Sequence, residues 1–230
     1  MKLSARLETI LSLIDPCRCL ADIGCDHAFV PIEAVRRGLA DAAIASDIGK
    51  GPLEGAKKHI EEAGLSGKID LRLADGLKGT SAGEADTIVI TGMGGMLLRS
   101  ILEDGADVIK DATLILSPQS DEELVRDYLV HALGRAILAE KCIIDEGKPY
   151  FIIKSGPGKC EPKYSDFELA YGRDDTFDAD SLIIRRNLIE KKIYKLREIK
   201  KQLEHISSDC ADSRRTEITD ELRRLEDEGL

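Results

Sequence analysis

The sequence predicts an α/β fold: a doubly wound parallel sheet closed by an antiparallel hairpin, followed by a C-terminal helical hairpin. Three observations predict it. Short apolar runs alternate with amphipathic segments through the first 133 residues, the pattern of stacked β/α units. Two strand-like runs, 136–144 and 150–154, are then joined only by Asp145-Glu146-Gly147-Lys148-Pro149, a hairpin signal. Beyond Gly156-Pro157-Gly158 apolar residues recur at gaps of three and four in charged sequence, which marks helices with one buried stripe.

Each element has its own signal. Leu3, Leu7, Ile10, Leu11 and Ile14 share a face of an opening helix that Asp15-Pro16 ends. A strand at 19–23 precedes a helix starting near Pro31, a good first-turn residue. A strand at 42–46 leads to a helix at 51–63, opened by Pro52 and stopped by Gly64. Strands follow at 69–73 and 87–91, the latter running into Gly92-Met93-Gly94-Gly95. A strand at 113–116 ends in Ser117-Pro118-Gln119, and a helix at 121–133 is stopped by Gly134.

The chain divides at 160/161. Residues 1–160 form the α/β unit; 161–180 read as an acidic loop. Ile189, Ile193, Leu196, Ile199, Leu203 and Ile206 then stripe a long helix, 207–213 break it, and Ile218, Leu222 and Leu225 stripe a second. One stripe per helix suits an antiparallel coiled-coil hairpin. Eight Lys/Arg face only Glu190 and Glu198 between Arg185 and Lys201. Such a run suits a solvated coiled-coil flank or an RNA backbone equally well.

Composition narrows the class. The chain of 230 residues is 43% hydrophobic, carries a net charge of −10 and has no Trp, so nucleic-acid binding requires a local patch. Its six cysteines form no C-x-x-C pair, which disfavours a disulfide framework or a metal site and suits free thiols in a reducing cytoplasm. No apolar run approaches the ~20 residues that cross a bilayer, and no signal-peptide core follows the N-terminus. A cytoplasmic, monomeric protein without metal is expected.

The chemistry gathers at strand ends. Asp22-Ile23-Gly24 closes the first strand, and Asp47 and Asp75 follow the second and third. Any one acid can serve as a cap or turn former. Three in succession describe a pocket for a hydroxyl-bearing nucleoside, since acids repel phosphate. Asp22 and Gly24 face its amino-acid end, Asp47 the ribose hydroxyls and Asp75-Gly76 the adenine edge. The glycine spacing departs from G-x-G-x-x-G, and a reversed final strand is the arrangement of enzymes that use S-adenosylmethionine rather than of nicotinamide domains. Gly92-Met93-Gly94-Gly95 stands where exocyclic-amino methylating enzymes carry Asn/Asp-Pro-Pro-aromatic, and would leave backbone against which a flipped base could lie.

Asp22-Ile23-Gly24-Cys25-Asp26-His27-Ala28, Thr91-Gly92-Met93-Gly94-Gly95, Asp75-Gly76 and the helical hairpin resemble the TrmK family of bacterial tRNA (adenine-22-N1) methyltransferases over nearly the whole chain. The resemblance implies a Rossmann-like class I methyltransferase domain plus a coiled coil, S-adenosylmethionine as donor and tRNA as substrate. It adds His27, Ile48 and Gly92 to the cofactor residues Asp22, Gly24, Asp47, Asp75 and Gly76. Gln119 in Leu116-Ser117-Pro118-Gln119 takes the place of Asn in the family's L-Q-P-N. For adenine N1, which brings its own lone pair, the enzyme must align the base and remove developing charge. Asp26 is the expected catalytic carboxylate beside the exocyclic amine, oriented by His27. Met93, Gly94, Pro118 and Gln119 are expected at the target base; Arg185, Arg186, Lys191, Lys192 and Lys195 along the tRNA body. The residues by themselves also leave open a methyltransferase on other RNA or a small molecule, a nicotinamide oxidoreductase, and an RNA-binding protein with an inactive fold.

Overall fold

The computed structural model describes residues 3–159, 163–206 and 208–229; Cys160, the expected boundary at 160/161 and Ser207 lie outside them. Five strands, β1 (Cys17–Ile23), β2 (Ala40–Asp47), β3 (Ile69–Leu73), β4 (Thr87–Thr91) and β5 (Thr113–Ser117), are mutually parallel. β6 (Ala136–Asp145) and β7 (Lys148–Gly156) form an antiparallel hairpin, and β7 joins β5. The sheet order is β3-β2-β1-β4-β5-β7-β6. Strand order reverses between β1 and β4, so a crevice opens at their carboxyl ends.

Both faces of the sheet are covered, which explains the continuous apolar runs of its inner strands. Alternate residues serve opposite layers. Ile88, Ile90, Leu114 and Leu116 pack under α4 (Gly95–Asp104) and α6 (Glu122–Asp127), while Val89 and Ile115 join the layer of α1 (Ala5–Ser12), α2 (Phe29–Arg36) and α3 (Lys50–Glu62). A short helix, α5 (Ala106–Ile109), leads into β5.

Pro31 lies in the first turn of α2, as expected, with Ala28 in a left-handed conformation (φ 58°) just before the helix. Two expectations are corrected. The helix expected at 121–133 is α6 followed by a π turn, Tyr128–Ala132. Residues 161–180 are more than a loop: Ser165 and Glu168 form a capping box for α7 (Asp166–Tyr171), and a 3-10 turn follows at Asp174–Thr176.

The hairpin consists of α8 (Ala179–Leu203) and α9 (Asp209–Gly229), joined by a turn shorter than the expected break at 207–213. Ser208 accounts for the difference: its Oγ accepts from the Ala211 N–H at 3.2 Å, which draws Ser213 into α9. Ile189, Ile193 and Leu196 meet Ile218, Leu222 and Leu225 in a separate small core. Near its start α8 is also built into the α/β unit. Leu182, Ile184 and Leu188 pack on Cys142, Phe151 and Phe177. Arg126 and Glu140, both fully buried, pair at 2.7 Å. Arg126 Nη1 also donates to the Leu169 and Ala170 carbonyls at 2.9 and 3.1 Å.

Candidate active site

The turn after β1 is built by its backbone. Gly24 (φ 74°) and Cys25 donate their N–H groups to the Ser46 carbonyl at 2.8 and 2.9 Å. Asp26 (φ 47°) and Ala28 follow, both non-glycine residues at positive φ, as is Asp121 (φ 57°) just beyond Gln119. Such strain concentrates where a structure holds a site in place. A Cβ on Gly24 would stand 2.3 Å from Met93 Cε, so the missing side chain admits Met93, and Gly24 also lines the cavity.

These turns enclose a cavity of about 420 Å³ at the carboxyl ends of β1, β2, β4 and β5. Asp22, Gly24, Asp26, His27 and Asp47 line one wall; Gly92 and Gln119 line the opposite side. Arg6 and Leu7 of α1, and Phe29 of α2, complete it. Sequence reading missed these three: Arg6 is a lone cation in an amphipathic helix, and no pattern reveals that α1 crosses the strand ends.

Charge in the cavity is unbalanced. Asp22 is only 4% exposed, and burial, then the Asp47 charge, pushes its carboxyl up to about 7. Among the described residues no donor bonds its carboxylate. Asp47 is held rigidly: Oδ1 accepts from the Gly49 N–H at 2.8 Å and Oδ2 from the Asp26 N–H at 3.3 Å. The Asp26 carboxylate is exposed, 3.7 Å from His27 Nε2. His27, Phe29 and His59 form a ring cluster with centroids 5.2–5.4 Å apart, Phe29 stacked on His59 and His27 edge-on to His59. Burial drives the Cys25 thiol far above its usual range, leaving it protonated and unreactive.

The remaining expected site residues are placed elsewhere. Asp75 is exposed and paired with Lys78 at 2.5 Å, and Gly76 packs on Ile101; neither lines the cavity. Ile48 follows Asp47 and is 72% exposed. Pro118 is buried, and Met93 and Gly94 support the wall from behind. Gly95 is tighter than either: a Cβ there would meet the Asp121 carbonyl at 2.5 Å.

The expected basic stripe is also redrawn. Arg185 is interior, paired with Asp174 and placed over the Phe167 and Phe177 rings. The buried seam Ile189-Ile193-Leu196 divides the other cations at 100° per residue. Lys191, Lys192 and Lys195 fall on one flank, Arg186 and Arg197 on the other. Lys192 is bound to Glu221 at 3.1 Å. Arg197, Lys200, Lys201 and Arg223 line a groove nearer the tip of the hairpin.

A buried carboxylate without a donor, a fixed acid after β2 and an open wall at β4 and β5 suit a cationic nucleoside lying across the strand ends with a second substrate entering beside Gly92 and Gln119. Among the described residues no three His, Cys, Asp or Glu side chains gather as a metal site. Comparison with known proteins agrees with that geometry. A methyltransferase-domain family matches residues 3–153. The tRNA (adenine(22)-N(1))-methyltransferase of Bacillus subtilis is 38% identical over 173 residues, 75% of this chain and 72% of that one. A Streptococcus pneumoniae structure in complex with S-adenosyl-L-methionine superposes with a TM-score of 0.83 at 30% identity, covering 98% of this chain and 99% of the other. Mycoplasma capricolum TrmK with S-adenosyl-homocysteine gives 0.85 at 26%, covering 99% and 97%.

Proposed function

Because this chain belongs to the TrmK family of tRNA (adenine(22)-N(1))-methyltransferases, we propose a division of labour among its residues for methyl transfer to adenine N1 in tRNA. The protein is a methyltransferase with S-adenosyl-L-methionine as its donor, and position 22 is the target that the family relationship supports. When bound, S-adenosyl-L-methionine supplies an electrophilic methyl group on a sulfonium. Asp22 faces its amino-acid end and Asp47 its ribose; Ile48 covers the purine, with Asp75-Gly76 at the outer edge. The feature that carries this reading is Asp22: a buried acid in a cavity, lacking a protein donor, accounts for a cationic ligand and not for a phosphate.

At the other wall the target adenine lies between Gly92 and Gln119, with Met93, Gly94 and Pro118 shaping the wall. Its N1 lone pair forms the new N–C bond as the S–C bond breaks. Asp26, exposed at the rim and backed by His27, orients the exocyclic amine and takes up its proton as positive charge develops. The backbone at Asp26 is tied to Asp47, so the carboxylate expected to serve the base and the acid expected to serve the ribose share one rigid turn.

We assign residues 1–160 to catalysis and 161–230 to gripping the tRNA, whose affinity is dominated by phosphate contacts. The exposed Arg186, Lys191 and Lys195 support that role. A tRNA substrate supports a cytoplasmic enzyme, and the monomer expected from sequence is kept as part of this reading. No described helix is long and apolar enough to cross a membrane. Incubation with labelled S-adenosyl-L-methionine and bulk tRNA should yield 1-methyladenosine at position 22. Asp26→Asn should cut turnover about 10²–10⁴-fold while donor binding by calorimetry is unchanged; normal turnover would make Asp26 structural.

A further inference from the structure

The first turn of α4 breaks the pattern of the rest of that helix. Gly95, Leu98, Ile101 and Leu102 are buried and form one stripe against the sheet. An amphipathic helix turns polar residues to the opposite side. Met96 and Leu97 stand outside the stripe instead, 73% and 55% exposed. Among the described residues Met96 is the most exposed large apolar one, and the helical repeat sets it almost diametrically opposite the buried stripe. Neither side chain is needed to build the core, so folding does not account for them.

Their place is fixed by the turns that form the open wall of the cavity. The Gln119 N–H donates to the Met93 carbonyl at 2.8 Å, and the Gly95 N–H donates to the Ser120 carbonyl at 2.9 Å. The start of α4 is thereby tied to the turn after β5, next to the exposed Gly92 and Gln119 that line the cavity. The one cation of α4, Arg99, is taken by Glu103 at 2.8 Å and lies over the Tyr128 ring. What the start of α4 offers RNA is therefore apolar surface for base faces, not charge for phosphates. Two side chains are too few for a protein interface, which needs about 1,000 Å².

Adenine N1 lies on the base-pairing edge, so in a folded tRNA it reaches a donor methyl only when the nucleotide leaves its stack. Its departure opens a gap between the neighbouring bases, which the same base can refill. We propose that Met96 and Leu97 are positioning residues that occupy this gap, lying against the base faces left uncovered while the target adenine is held at the wall of Gly92 and Gln119. This rests on the target wall assigned above. The unbranched, polarizable thioether of Met adapts to such a surface, and apolar side chains inserted at a base step are a recurrent means of holding it open.

Full-length tRNA carrying 2-aminopurine at the target position tests it, because the fluorescence of that base rises when it leaves its neighbours. The wild-type protein should raise the signal on binding. Met96→Ser with Leu97→Ser should bind the tRNA through the same phosphate contacts but give a much smaller rise. Its turnover on unmodified tRNA should fall about 10- to 100-fold, the range of a lost unstacking contact. Met96→Leu, which stays apolar, should retain most of both. Unchanged donor affinity by calorimetry shows that the double variant is folded; if it is not, Met96→Gln serves in its place. A double variant with wild-type fluorescence and turnover overturns the proposal. So does one with a raised KM for tRNA but a normal signal from the bound complex, which would make the pair an ordinary contact. A wild-type protein that methylates tRNA without raising the signal overturns it as well. A wild-type protein that forms no 1-methyladenosine in tRNA would instead overturn the target assignment.

Discussion

Two regions of this molecule bury charge, and they do so in opposite ways. At the junction of sheet and hairpin every buried charge has a protein partner: Arg126 has Glu140 and two carbonyls, Glu140 also accepts from Thr176 Oγ1 at 3.0 Å, and Arg185 has Asp174 and two aromatic rings. At the strand ends Asp22 and Arg6 share a cavity and, among the described residues, neither has a charged protein partner. Burying an unpaired charge is costly. A fold tolerates it where a ligand completes the pair, so the comparison separates charges that hold the protein together from charges kept for its substrates. It also shows why α8 is not a detachable appendage: its first turns close the sheet edge.

The largest effect expected from breaking the comparison is at the junction. Arg126→Met leaves Glu140 buried and unpaired, so stability should fall by about 3–5 kcal/mol in urea denaturation. Loss of under 1 kcal/mol would show that the junction does not depend on the pair. At the strand ends a comparable substitution should act on the ligand instead. Asp47→Ala should weaken S-adenosylmethionine binding by about 1–3 kcal/mol, measured by calorimetry, with the sheet intact.

Asp22 sharpens the contrast through pH. Its folded-state value, about 7, lies above the unfolded one, so the folded protein holds the extra proton between about pH 4 and 7. Its contribution to unfolding free energy is therefore greatest at low pH and is lost as pH rises through that window. Asp22→Asn should lack this component and be the more stable protein at pH 8 without ligand. Donor affinity should move the other way, falling up to about tenfold per unit below pH 7 in the wild type. Asp26, Asp47 and His27 line the same cavity, so the wild-type-minus-variant difference is the quantity to compare; identical pH profiles would remove Asp22 from the cationic end.

The smallest effects belong to the hairpin surface. Lys191→Gln with Lys195→Gln should flatten the salt dependence of tRNA binding by about 0.7–0.9 in log–log slope per lost contact. Lys192→Gln should change it less, because Glu221 already neutralises that lysine. Equal slopes for the double variant and the wild type would move RNA binding to the groove of Arg197, Lys200, Lys201 and Arg223.

Much of this was legible in the residues. β3 and β4 have the bounds expected from sequence, β3 from its apolar alternation and β4 from a continuous apolar run between two threonines, and Asp22, Asp47 and the Gly24 turn were found because a strand-to-helix turn leaves a local signature. The Asp75 signature is equally local: the structure leaves Asp75 outside the cavity lining and paired with Lys78, one helical turn away. Arg185 was read with the surface cations because helical spacing places it at the edge of the buried stripe, and only α7 and the 3-10 turn, packing from outside that helix, bring Phe167 and Phe177 over it.

The sequence by itself determined the order of strands and helices, the reversal of the last strand, the family and the acids at the strand ends. All of these depend on neighbours within a few residues or on motifs. Tertiary structure alone decided which charges are spent and which are kept. Arg126 with Glu140, Arg6 over Tyr150 and Arg185 with Asp174 join residues on different elements. Partnership across elements is set by three-dimensional packing, which leaves no periodic trace along the chain.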